Sequence, residues 1–202
     1  MMASTQISTK DRIINAAVRI FAQKGYTNAT VADIAVDARI GKGTIYQYFA
    51  SKEDLFFAVF EWYVRQTGAA AQVSISTLGG STIQRLEALN RSIMSMWAEI
   101  EDMFSLTMEF WAASSSSRLR DRFKNAFSDM YRQFREVAAS LIRGGIERDE
   151  FRKDINPESV AAALVGAWDA LFLQAWFDQD FDPLSTSRDF LTVVIRGLSA
   201  KE

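Results

Sequence analysis

The side chains best suited to do chemistry in this 202-residue chain lie between Thr30 and Asp54, in TVADIAVDARIGKGTIYQYFASKED. Lys42, Thr44, Tyr46, Gln47 and Tyr48 crowd one short stretch. A lysine ammonium meets phosphate as a point charge, and threonine and tyrosine hydroxyls bond phosphate oxygens or base edges. Thr44 and Tyr46 also offer apolar contact to a thymine methyl. Gly43 lets the backbone approach a duplex closely. The chemistry is recognition of double-stranded DNA rather than bond-making.

The elements that must hold these groups are legible around them. Thr30 with Asp33 forms a capping box, in which the hydroxyl takes a free helix amide and the carboxylate reaches back. Val31, Ile34, Ala35 and Ala38 fall at i, i+3, i+4 and i+7, giving a short helix one apolar face. Arg39-Ile40-Gly41 breaks it, with Gly41 expected to supply the positive φ of a tight turn. Lys42 to Tyr48 is the next helix, with Ile45 and Phe49 directed to the core. Ser51 with Asp54 is a second capping box that opens a helix at Lys52. Two short helices joined by a tight turn make a helix-turn-helix. The positive end of the first helix, at Val31, can hold a phosphate beside Thr30. By spacing alone, a generic three-helix bundle with a solvated polar face fits as well.

The residue string goes further. Residues 8–60 resemble the DNA-binding domain of the TetR/AcrR family of one-component repressors. The likeness is carried by Ile14, Ala17, Phe21, Gly25-Tyr26, Thr30 and Ile34-Ala35, then by Gly43-Thr44-Ile45-Tyr46-Gln47-Tyr48-Phe49 and Lys52-Glu53-Asp54-Leu55. The resemblance implies an all-α fold of about nine helices. A helix-turn-helix domain would span 8–68, with the motif at about 30–49, and a helical effector-binding and dimerisation domain 69–202. It implies phosphate contacts at Thr30, Tyr48 and Lys52, and a groove-facing set of Lys42, Gly43, Thr44, Tyr46 and Gln47. The family's Ala-Gly-Val-Ser turn is here Ala38-Arg39-Ile40-Gly41. Arg39 stands where the family has glycine and can add a phosphate contact. Gly41 replaces a serine that often caps the recognition helix.

Composition narrows the alternatives. The chain has no cysteine and no histidine, which removes disulfides, thiolate metal sites, the Ser-His-Asp triad, the usual zinc ligands and the commonest general base. No catalytic residue, cofactor or metal is expected, and no carboxylates are arranged like an enzyme's. The first ten residues are polar and unlike a signal peptide. The longest apolar run, Val160 to Phe177, is interrupted by Asp169 and Gln174 and reads as a buried helix, so a soluble cytoplasmic protein with no membrane partner is expected. The net charge of −2 is unevenly placed: residues 1–54 carry seven Lys/Arg against five Asp/Glu, and the remainder sixteen against twenty. A weakly basic head on an acidic body suits local attraction to phosphate.

The remaining pattern is helical throughout. Asn156-Pro157 and Asp182-Pro183 each place a capping residue before a proline at the first helical position. They predict final helices over roughly 157–178 and 184–200. Thr77 to Ser81 reads as a loop, Ser81 with Gln84 as a cap, and Ser114 to Ser117 as a break. Val160, Leu164, Ala167, Leu171 and Ala175 form one stripe, and Leu191, Val194, Ile195 and Leu198 another. Small residues at 161–163, 166, 167 and 170 permit close helix approach. These stripes fit a four-helix bundle between two subunits, or burial within their own subunit; the resemblance implies the dimer. Two-fold symmetry then predicts a palindromic operator.

Twenty aromatic residues follow residue 54. Their helical spacing fits plain core or an adaptable apolar pocket. By resemblance the pocket lies between the middle helices, at Trp97, Phe104, Met108, Trp111, Phe127, Met130, Tyr131, Phe134 and Trp168. Asp169, inside an apolar helix, needs a partner: an arginine of either subunit, or a cationic ligand. Arg118, Arg120, Arg122 and Lys124 form a solvated face or hold an anionic head group. The reading is a homodimeric repressor released from DNA by a hydrophobic small molecule. The alternatives are an activator, or a small-molecule-binding helical protein with altered DNA reading.

Overall fold

The computed structural model describes residues 8–76, 80–95, 104–116 and 118–200. Trp97 and most of the expected loop after Ser76 lie outside them. The described residues form nine α-helices, with no strand beyond an isolated bridge between Phe151 and Ser199. They run α1 Thr9–Asn28, α2 Val31–Asp37, α3 Lys42–Tyr48, α4 Lys52–Ser76, α5 Thr82–Ser95, α6 Phe104–Ser116, α7 Arg120–Glu147, α8 Pro157–Phe177 and α9 Pro183–Leu198.

The caps fall where residue chemistry places them. The Ser8 hydroxyl accepts from the Asp11 amide to start α1. The Thr30–Asp33 box opens α2 with both reciprocal bonds, at 3.0 and 3.1 Å. Ser51 takes the Asp54 amide at the start of α4, and Ser81 takes the Gln84 amide at α5. Asn156 and Asp182 cap α8 and α9, each ahead of its proline. One expected break is displaced. α6 continues through Ser116, because the Ser114 and Ser115 hydroxyls fold back onto the carbonyls of Trp111 and Ala112 and stay compatible with the helix.

The chain divides into two compact units. The first takes the described residues of Met1–Arg65 and of Asp102–Ala126, so α6 and the first turns of α7 group with the N-terminal helices. Its core is aromatic. Phe56 meets Phe21 of α1 edge-on at 5.2 Å and Phe110 of α6 at 4.9 Å. Phe57 and Phe60 close on Phe123 of α7 at 5.1 and 5.3 Å. Edge-to-face ring pairs add to plain area burial and fix how the helices sit.

The second unit is built from α5, the rest of α7, α8 and α9 around Leu86, Leu89, Ile142, Phe151, Leu164, Trp168, Leu171 and Leu191. One polar chain crosses this core. The Trp168 indole donates to Asn90 at 2.9 Å, the Asn90 amide donates to Ser187 at 3.0 Å, and Ser187 donates to the Leu184 carbonyl. Each group buried there is satisfied, so the network specifies how α5, α8 and α9 register instead of destabilising the core.

Candidate nucleic-acid interface

α3 is held by its apolar side and offers the other. Ile45 and Phe49 are buried in the first unit. Lys42, Gly43, Gln47 and the half-exposed rings of Tyr46 (47%) and Tyr48 (46%) face outward, with Thr44 between. Two half-exposed tyrosines on one short helix, each with an apolar ring and a hydroxyl, offer both apolar contact and hydrogen bonding on one surface. The Lys42 ammonium lies 6.0 Å from the Tyr46 ring centre, a loose contact that leaves it available to an anion. Nothing lies within 4 Å of where a Gly43 side chain would begin. The expected reading set therefore shares one exposed face.

The turn before α3 differs from expectation. Gly41 has φ −72° and caps α3 without a side-chain bond. The left-handed residue is Arg39, at φ +54°. α2 ends in a Schellman motif: the Ile40 amide bonds the Ala35 carbonyl, and the Arg39 amide bonds that of Val36. That motif puts the left-handed residue directly after the cap residue Ala38, two positions earlier than Gly41. A side chain there costs on the order of 1 kcal/mol. Arg12 of α1 offsets some of it, donating to the Ala38 carbonyl at 2.6 Å. Arg39 itself is exposed.

Two of the expected phosphate contacts are also committed within the protein. Thr30 gives its amide and its hydroxyl proton to Asp33, and Asp33 bonds Lys24 at 2.8 Å. The Lys24 and Thr30 bonds hold the Asp33 carboxyl down to about 2. The Lys52 ammonium donates to the carbonyls of Thr27 (3.3 Å) and Ala29 (2.7 Å) and sits 4.5 Å over the Tyr26 ring. It closes the C-terminal end of α1. Burial, with Glu53 and Glu109 nearby, pushes the Tyr26 phenol up to about 12.

The expected pocket residues do not share one surroundings. Phe104 is buried in the first unit, where Met108 and Trp111 are half-buried on the same helix. Phe127, Met130, Tyr131 and Phe134 are half-buried in the second unit, with Phe127 and Tyr131 stacked at 6.4 Å. Trp168 is buried core, its indole occupied by Asn90. Asp169 takes a hydrogen bond from Tyr131, and burial raises its carboxyl above the usual range. Of the basic cluster, Arg122 pairs with Asp54 at 3.0 Å and stacks on Phe57 at 3.9 Å, which makes it structural.

The expected interface stripes face inward. Leu164, Leu171, Ala175, Leu191 and Leu198 are buried, while Val160, Ala167, Val194 and Ile195 are half-buried. α8 is apolar all round, so its most regular stripe is claimed by its own core. What remains outside is a second apolar face: Ala162, Ala163, Gly166, Ala170 and Phe177 (77% exposed) on α8, Phe190, Val193 (67%) and Gly197 on α9. No atom stands within 4 Å of a Cβ built at Gly166 or Gly197. The small residues are the sequence signal for this face; Phe177, Phe190 and Val193 carry none.

Comparison with known proteins agrees with this geometry. Residues 13–59 match the family described as bacterial regulatory proteins, tetR family, and residues 108–191 match the tetracyclin repressor-like C-terminal domain. The HTH-type transcriptional repressor DhaR of Mycobacterium sp. (strain GP1) is 23% identical over 98% of this chain and 94% of its own length. A putative transcriptional regulator from Saccharomonospora viridis, solved with choline, covers 95% of this chain and 98% of its own at 22% identity and a TM-score of 0.81. The regulator FadR of Bacillus subtilis, solved with stearoyl-CoA, covers 93% and 98% at 22% identity and a TM-score of 0.75.

Proposed function

The chain belongs to the tetR family of bacterial regulatory proteins, and on that premise we propose that this DNA-binding transcriptional regulator is a homodimeric repressor released from a palindromic operator by a small molecule. It works in the cytoplasm, by binding and not by catalysis. The observation that carries the reading is the exposed face of α3, with Lys42, Gly43, Thr44, Tyr46, Gln47 and Tyr48 on an otherwise buried helix-turn-helix. Lys42 and Tyr48 contact phosphate, joined by Arg39, by the free donor capacity of Lys52 and by Thr30 once its hydroxyl proton turns from Asp33 to the duplex. Thr44, Tyr46 and Gln47 read base edges. Selection of binding sites from a randomised duplex pool tests this. Thr44→Ala and Tyr46→Ala should change the recovered sequence, and Lys42→Ala should weaken all sequences alike and flatten the salt dependence. Unchanged selection by both of the first two removes them from the reading set.

The second copy is assigned to the face of Gly166, Ala170, Phe177, Phe190 and Val193. Among the described residues α8 is long and apolar enough to cross a membrane. Small residues flanked by exposed rings on two adjacent helices suit instead a close four-helix contact. DNA-binding residues 8–68 and effector and dimerisation residues 69–202 remain the proposed division of labour.

The effector is proposed to be predominantly apolar and to meet Phe127, Met130, Tyr131 and Phe134 of the second unit. These side chains are half-buried, whereas Phe104 and Trp168 are closed off. Stearoyl-CoA on the Bacillus subtilis protein supports an acyl ligand. Asp169 supplies a polar anchor through Tyr131. Only a ligand with different affinities for the DNA-bound and released forms can act this way.

A further inference from the structure

The junction between α1 and α2 is bent by one residue. Gly25 lies within the span of α1 yet has φ +71° and ψ 159°. The break leaves the Tyr26 amide without a helical partner. A carboxylate distant in sequence takes it: Glu109 of α6 accepts the Tyr26 N–H at 2.6 Å. The other Glu109 oxygen lies 2.8 Å from where a Gly25 Cβ would stand, so the carboxylate seats on the bare glycine backbone. Four residues after Tyr26 is Thr30, the N-cap of α2. Glu109 also lies within residues 108–191, the stretch matched by the C-terminal-domain family, although it packs in the first unit.

From this we propose that Glu109 is a positioning residue for DNA binding. It acts through the Tyr26 amide to set the Gly25–Thr30 segment and, with it, the DNA-facing start of α2. The segment is held from two sides by opposite charges. Glu109 holds an amide at its beginning, and Lys52 holds the Thr27 and Ala29 carbonyls at its end. The Tyr26 ring packs at 4.4 Å on Phe56 and under the Lys52 ammonium, so the two clamps share one residue. Without Glu109 the Tyr26 amide is unpaired at a partly buried position, and the cheapest relief is rotation of the Gly25–Tyr26 peptide. That rotation moves the segment carrying Thr30 and leaves α3 intact. A bond to a charged acceptor in a partly buried setting is among the stronger protein hydrogen bonds.

The inference rests on the DNA-binding reading above, so its test includes a measurement that needs no DNA. Glu109→Met keeps the side-chain length and removes the acceptor; Glu109→Gln keeps an acceptor oxygen. In the full-length protein the expected result for Glu109→Met is a cooperative thermal transition, a loss of about tenfold or more in affinity for duplex DNA, and at least about tenfold faster hydrogen exchange at the Tyr26 amide. Glu109→Gln should restore both to within about threefold of the native protein. Unchanged affinity in Glu109→Met overturns the proposal, as does a Glu109→Gln variant that falls equally far. If Glu109→Met does not fold, the native protein decides: a Tyr26 amide that exchanges as if unprotected overturns the clamp. If the native protein binds no duplex while the exchange results hold, the DNA reading fails and the clamp stands as a structural contact.

Discussion

The two compact units leave opposite chemistries on their surfaces. The first buries aromatic neighbours such as Phe21, Phe56, Phe60, Phe110 and Phe123, and still exposes two tyrosines and a lysine on α3. The second buries an aliphatic core with one satisfied polar chain, and exposes Phe177, Val193 and two glycines with open space above them. A hydrated, charged duplex requires the first kind of surface. A dry partner, packed at helix-to-helix distance, requires the second. The difference teaches that exposure alone says little about function; what is exposed, and on how rigid a support, separates a reading surface from an assembly surface.

The contrast is most easily broken at Gly166. A leucine there has open space within the protomer, so Gly166→Leu should fold normally and clash only with a close partner. Sedimentation is expected to show the native protein as a dimer and the variant as a monomer, and DNA affinity should fall by about 100-fold or more as the proposed second half-site contact is lost. A dimeric Gly166→Leu protein would move the assembly surface elsewhere.

On the other unit, Gly25→Ala forces a side chain into the left-handed region and against the Glu109 carboxylate. It should cost about 1–3 kcal/mol in chemical denaturation. Arg39→Gly should do the reverse. With φ +54° relieved, stability should rise by roughly 0.5–1 kcal/mol, while DNA affinity and its salt slope decrease as a phosphate contact is lost. Raised stability with unaltered DNA binding would make Arg39 a bystander.

The smallest effects are in pH. Asp33 titrates near 2 in the folded protein against an ordinary 3.8, so its contribution to the first unit is present above about pH 4 and lost as pH falls toward 2. Asp169 is shifted the other way by burial, so its contribution is present below the ordinary carboxylate value and lost as pH rises through its folded value. Asp33→Asn should flatten the acid limb of the stability profile. Asp169→Asn should be tolerated at neutral pH. Denaturation midpoints across about pH 2–7 check both, and parallel behaviour of the two variants would refute the contrast.

How much of this was legible in the sequence follows the same division. In the first unit, Thr30, Asp33, Ser51 and Asp54 act on neighbours three residues away, so local order sufficed to place α2, α3 and the start of α4. Arg39 was misjudged because glycine preference pointed to Gly41, whereas the Schellman geometry at Ala35–Ile40 decided the left-handed position. Lys52 looked free because its carbonyl partners, Thr27 and Ala29, are brought near only by the fold. Glu109, 83 residues from Tyr26, left no local signal at all. In the second unit the caps at Asn156 and Asp182 placed α8 and α9 correctly. Which face of α8 turns inward was not legible, since Leu164 and Leu171 on one side and Ala163, Gly166 and Ala170 on the other are all compatible with burial.

The central claim is that α3 reads DNA, and binding of the full-length protein to its own upstream intergenic duplex tests it most directly. Fluorescence anisotropy at roughly 50 and 200 mM salt, beside a scrambled duplex of the same length, provides the comparison. The account predicts tight binding to the native duplex, weak binding to the scrambled one, and a steep loss of affinity with salt. Failure to bind either duplex at the lower salt would contradict it.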